Sequence, residues 1–147
     1  MKLSSWSGGE FYDGTLSPDG FGTYDLVGLT QVATIGGGPE GFAYVPLGSP
    51  LFANPSMIVS EYSAGNVATY ETDALGNPLV GTRRDFMTGL TGAEGAFIDP
   101  LTGDFLFSTF GGGNEVVVVT GFAVPEPGTM LALGAGLAVL ARRRRRR

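Results

Sequence analysis

The amino-acid sequence predicts an all-β body, a partial β-propeller of about two and a half four-stranded blades, followed by a C-terminal apolar helix. Three observations lead there. The 147 residues include 25 glycines and 9 prolines, yet Phe, Tyr, Val, Ile and Leu are spread among them, a composition of short strands and turns rather than of disorder. The body also repeats. Gly38-Pro39-Glu40-Gly41-Phe42-Ala43-Tyr44-Val45-Pro46-Leu47 aligns with Gly92-Ala93-Glu94-Gly95-Ala96-Phe97-Ile98-Asp99-Pro100-Leu101 at an offset of 54, while Met57-Ile58-Val59-Ser60 aligns with Phe105-Leu106-Phe107-Ser108 at an offset of 48. Finally, the last 24 residues change character, from a proline pair through an uncharged stretch to six arginines.

A repeat of about 50 residues that holds several short strands has the size of a propeller blade. The difference between the two offsets falls in residues 49–56, where Pro50 and Pro55 mark an inserted loop. Within one blade, residues 41–45 are the innermost strand, 57–62 the second, 66–72 the third and 83–87 the fourth. The next blade follows the same order at 94–99, 105–109 and 115–120, with the breaker-rich turn Asp99-Pro100-Leu101-Thr102-Gly103-Asp104 after its first strand. Upstream, residues 23–28 and 31–35 are expected to be the last two strands of a preceding blade, and Phe11-Tyr12 the trace of another strand.

Residues 1–123 thus form one β-rich body, and residues 124–147 a tail. Pro125 and Pro127 keep the backbone around Glu126 extended, because each ring fixes its own φ and moves the preceding residue out of the helical region. A helix over 128–141 would carry no charge and reach about 21 Å, against a hydrocarbon core of ~30 Å. The block Arg142 to Arg147 lets so short a segment serve, since arginines snorkel to headgroups and hold their end on the cytoplasmic side.

Pro-Glu-Pro, a short apolar helix and a terminal arginine block, in that order, resemble the PEP-CTERM sorting signal of exported bacterial proteins. By that resemblance Pro125, Glu126 and Pro127 are the sorting motif, residues 128–141 the membrane segment and 142–147 the cytoplasmic stop. It implies an exosortase-type membrane enzyme as partner, a surface or extracellular destination, and extracellular polysaccharide as a possible neighbour.

The body resembles six-bladed NHL and gluconolactonase-like propellers over roughly residues 23–122, through Gly-x-Glu-Gly opening a strand, Asp-Pro-x-Thr-Gly-Asp in a turn and Gly-Gly-Asn before the third strand. Two and a half blades fall short of the roughly four that closure requires. Residues 1–10 hold one basic residue and no apolar stretch of about 7–15 residues, so no secretory signal peptide is visible. Together these lead to the expectation that the body is incomplete at its N-terminus, the C-terminal part of a longer reading frame or a decayed copy.

The chain has no Cys and no His, which leaves out disulfides, thiolate or histidine catalysis and Cys/His metal sites. Oxygen ligands remain and favour a hard cation such as Ca²⁺ if any metal binds. Residues 1–141 hold three cations against 14 carboxylates, a charge of −11, so the body repels phosphate and no nucleic-acid partner is expected. Gly36-Gly37-Gly38-Pro39-Glu40-Gly41 has dinucleotide-loop spacing, but an extended segment follows where a helix is needed.

Glu40 and Glu94 are the candidate metal residues, because equivalent positions in successive blades converge on the propeller axis, where the resemblance places a divalent cation. The plainer alternative is that each caps a turn. No catalytic residue and no cofactor is assigned. The leading expectation is a non-catalytic exported envelope or matrix protein. The alternatives are part of a metal-dependent lactonase-like hydrolase and a secreted carbohydrate- or protein-binding module.

Overall fold

The computed structural model describes residues 1–121, and these form three antiparallel sheets joined in chain order. Sheet 1 contains β1 (Lys2–Ser4), β2 (Glu10–Pro18) and β3 (Tyr24–Thr34). Sheet 2 contains β4 (Pro39–Tyr44), β5 (Ser56–Glu61), β6 (Asn66–Glu71) and β7 (Arg84–Met87). Sheet 3 contains β8 (Ala93–Ile98), β9 (Phe105–Thr109) and β10 (Val116–Val119). A 3₁₀ turn at Val80–Thr82 is the only helical element among the described residues.

The repeat survives in three dimensions. Sheet 2 is the four-stranded unit expected from residue 41 onward, and sheet 3 reproduces its first three strands. The backbone bonds repeat as well: Tyr62 N–H donates to Gly38 O at 2.8 Å, and Phe110 N–H donates to Gly92 O at 2.8 Å. The turn after β8 closes as expected, with Gly103 N–H on Asp99 O at 2.8 Å and Leu101 N–H on Asp99 Oδ1 at 2.8 Å.

The region before residue 38 differs from the expectation. Residues 23–28 and 31–35 are not two strands: Tyr24–Thr34 runs as one strand, antiparallel to β2, with register shifts at Phe11/Tyr12 and Thr15/Leu16. Leu29 and Thr30 offer no turn chemistry, and bulges take up the irregular spacing instead. The reversal lies at 19–23, where Asp19 accepts the Phe21 N–H at 2.7 Å, the Thr23 N–H at 3.1 Å and the Thr23 hydroxyl. Gly20 and Gly22 supply the positive φ values that this turn needs. Phe11 and Tyr12 belong to a full nine-residue strand, not a remnant. The body therefore has three sheets of three, four and three strands instead of two and a half four-stranded blades, and no closure into a propeller is seen among the described residues.

Sheet 2 lies between the other two. Strand side chains alternate between faces, and both faces of sheet 2 are covered. Met57, Val59, Ala68 and Tyr70 pack with Phe11 and Ile35 on the sheet 1 side. Ile58 and Val67 pack with Ala93, Phe105 and Phe107 on the sheet 3 side. All six residues of β5 are consequently buried. The inserted loop contributes Phe52, whose ring lies 6.2 Å from that of Phe105 and 6.4 Å from that of Phe86.

The predicted apolar helix at 128–141 and the arginine block lie outside the described residues. Among the described residues, no helix is long and apolar enough to cross a membrane.

Ile58 is fully buried between sheets 2 and 3. Its truncation to Ala is expected to cost about 2–5 kcal/mol, from lost transfer energy and the cavity left behind. A lower urea midpoint with an unchanged slope is the measurement that checks this.

Candidate functional site

Strands β4 and β8 are the first strands of sheets 2 and 3, and they lie against each other without hydrogen-bonding as neighbours in one sheet. Glycine makes this approach possible. A Cβ added at Gly41 would sit 2.3 Å from Glu94 O and 2.7 Å from Ala96 N, so any side chain there would force the sheets apart. One hydroxyl bond ties the junction, Ser60 Oγ donating to Gly95 O at 3.0 Å, while Ser4 Oγ of sheet 1 donates to Glu40 O at 3.3 Å and holds β4 from its other neighbour.

This packing brings Glu40 and Glu94 together, the two acids that occupy equivalent positions in the repeat. The Glu40 carboxyl is held above the usual carboxylate range, first by burial, then by the Glu94 charge and by a hydrogen bond between the two side chains. For Glu40 the neighbouring side chain is thus another carboxyl. No group of three or more His, Cys, Asp or Glu residues placed to hold a metal occurs among the described residues.

A second polar cluster was not singled out by sequence reasoning. Glu61, at the end of β5, has a side chain only 1% exposed. It accepts the Tyr70 hydroxyl at 2.6 Å and a two-point contact from Arg83, Nε to Oε1 at 2.9 Å and Nη2 to Oε2 at 2.5 Å. Arg83 also reaches Asp85 at 2.9 Å. Burial, and then the bond to Glu61, push the Tyr70 phenol well above its usual range, so it stays a donor. The loop between sheets 1 and 2 closes over this group, since a Cβ at Gly37 would lie 2.9 Å from Glu61 Cβ. A signal for the cluster was present in the charge inventory. Lys2, Arg83 and Arg84 are the only cations before residue 142, and an anionic body uses such cations as internal ties. Lys2 likewise pairs with Asp13 at 3.0 Å and donates to Asn77 Oδ1 at 2.5 Å, joining sheet 1 to the loop after β6.

The inserted loop forms one wall of an open cleft of about 250 Å³, lined by Phe52, Asn54, Thr69, Glu71, Arg84 and Phe86 among others. Asn54 Nδ2 donates to Glu71 Oε1 at 3.0 Å across it, and Arg84 stands 4.0 Å from the same carboxylate. Several aromatic residues serve in packing. Trp6 meets Tyr62 edge-on at 6.1 Å, Tyr44 meets Phe42 at 6.2 Å, and Tyr70 is buried. The segment 36–41 runs into strand β4, which agrees with the reading that excluded a dinucleotide loop.

Pro125, Glu126 and Pro127 lie outside the described residues. Residues 123–146 match the family described as the PEP-CTERM protein-sorting motif. No curated protein and no solved structure matches the chain.

The raised Glu40 carboxyl has a pH signature with a definite sign. Below the ordinary value of 4.5 the group is protonated folded and unfolded alike, and the contribution of the pairing is whole. As pH rises from there through the raised folded value, the fold gives up that proton and the contribution is lost. The unfolding free energy of the wild type minus that of Glu40→Gln is therefore expected to fall as pH rises through this mildly acidic window. Chemical denaturation at a series of pH values measures it, and carboxylates remote from Glu40 cancel in the difference.

Proposed function

We propose that the chain is a non-catalytic cell-envelope or extracellular-matrix protein, exported and directed to the surface by its C-terminal tail. The observation that carries this reading is the match of residues 123–146 to the PEP-CTERM protein-sorting motif. That motif is a substrate signal for exosortase-type processing enzymes, and it supports export with processing at a membrane-associated C-terminus.

The physical parts of the tail support the same route. Pro125 and Pro127 flank Glu126 in the sequence, a pattern whose intrinsic preference is for the extended backbone that a processing enzyme reads. Residues 128–141 are apolar enough to enter the bilayer, while Arg142 to Arg147 keep their end at the cytoplasmic face and leave the body on the far side. An anionic body suits an extracellular matrix and repels nucleic acid. Extracellular polysaccharide is the proposed neighbour, and the open polar cleft beside the inserted loop is a second reading's starting point, a carbohydrate- or protein-binding module.

A metal-dependent lactonase-like hydrolase is the other alternative, and the meeting of Glu40 with Glu94 is the observation in its favour. Calorimetric titration of the full chain with Ca²⁺ separates the two. The non-catalytic reading expects no binding isotherm. An isotherm abolished by Glu40→Gln would favour the hydrolase.

Removal of residues 124–147 is expected to abolish membrane association and surface delivery in a host that carries an exosortase, as read by cell fractionation. Replacing Pro125 and Pro127 with Ala is expected to leave an unprocessed, membrane-held form. An unchanged location after the deletion would overturn the sorting assignment.

A further inference from the structure

Among the described residues the three sheets form a stack with two open ends, and both end faces are largely apolar. On sheet 3 the face turned away from sheet 2 carries Phe97, Leu106, Val116 and Val118, with Phe97 57% and Val116 65% exposed. No charged side chain belongs to this group. On sheet 1 the face turned away from Phe11 and Ala33 carries Leu3, Leu16, Leu26 and Leu29. Leu26 and Leu3 both lie against Gly14, within 3.0 and 3.6 Å of a Cβ built there, and Leu29 is 53% exposed.

The repeat says what the open face of sheet 3 is built to receive. In sheet 2, Ile58, Ser60 and Val67 form the face that holds sheet 3, and Ser60 pairs with Val67 in the ladder. In sheet 3, Leu106 stands in the place of Ile58 and Ser108 in the place of Ser60, at the repeat offset of 48, and Ser108 pairs with Val116 as Ser60 pairs with Val67. The exposed face is thus a second copy of a face that already docks a sheet in this molecule. What it docks there is the side of the following sheet that faces back along the stack. Among the described residues, the one uncovered side of that kind is on sheet 1. Within one chain the two faces lie on opposite ends, with sheet 2 between them, so they cannot meet.

We propose that the chain associates head to tail with a second copy of itself, the open face of sheet 3 of one protomer packing on the open face of sheet 1 of its partner. The contact is heterologous and continues the stacking that joins sheets 1, 2 and 3 inside the chain. It covers two apolar faces that would otherwise meet water. This inference does not rest on the sorting assignment, and its test reads no localisation.

The experiment uses the full chain in mild detergent and measures mass by sedimentation over a dilution series. The wild type is expected to associate. Val118→Lys on sheet 3 and Leu26→Lys on sheet 1 place a charge at positions already exposed in the single chain, so the fold is retained, as circular dichroism would verify. Each variant alone is expected to be monomeric. An equimolar mixture is expected to form a one-to-one complex, because one intact pair of faces remains between the unlike protomers. A monomeric wild type would overturn the proposal. So would association that Leu26→Lys leaves intact, as in a face-to-same-face dimer, or association through the apolar tail that survives both substitutions.

Discussion

Strand β5 is buried along its whole length, and the other sheets are placed by that requirement. Met57 and Val59 on one side and Ile58 on the other are fully buried, so sheet 2 needs a cover on each face. Sheet 1 and sheet 3 supply these covers through Phe11 and Ile35, and through Phe105 and Phe107. At about 1.5–3 kcal/mol for each fully buried aliphatic or aromatic side chain, these two interfaces dominate the favourable side of folding. A sheet covered on both faces explains why successive residues Met57-Ile58-Val59 and Val67-Ala68 are all buried, whereas β10 alternates exposed and half-buried valines.

Double coverage leaves little room for charge, and the few charges inside are paired closely. Glu61 is buried where sheet 2 meets the loop from sheet 1, and it keeps its place because Tyr70 and Arg83 satisfy both oxygens. Removing one partner of such a group generally costs more than the pair contributes, since it leaves a charge stranded away from water. The same economy appears at the β4–β8 junction. Absence of a side chain at Gly41 lets two backbones touch, and that approach sets Glu40 beside Glu94.

Much of the strand plan was legible because the sequence repeats. Strands β4 to β10 could be placed from glycines, prolines and alternating apolar residues, since each unit corroborates the other. Sheet 1 has no repeat partner of that quality. There the residues 23–35 read as two strands, because the bulges and the pairing with β2 that join them are not visible in the sequence. The equivalence of Glu40 and Glu94 in the repeat is legible in the sequence, whereas their contact depends on the packing of β4 against β8. The ties from Glu61 to Arg83, 22 residues apart, are not legible there, because nothing local in either segment records that distance being closed.

By itself the sequence determined the division into an acidic β body and a cationic, apolar tail, the repeat length, and the address that the tail carries. These are properties of composition, spacing and order, and they need no three-dimensional partner to be expressed. Tertiary structure alone decided which faces are covered, how three sheets share their cores, and which acids and bases meet. The reason is physical: a strand's two faces are marked as apolar or polar by its residues, but only packing determines whether an apolar face has found its cover. For sheet 2 both faces have. For sheets 1 and 3 one apolar face each remains open among the described residues, and those faces hold the most direct route to the molecule's partners.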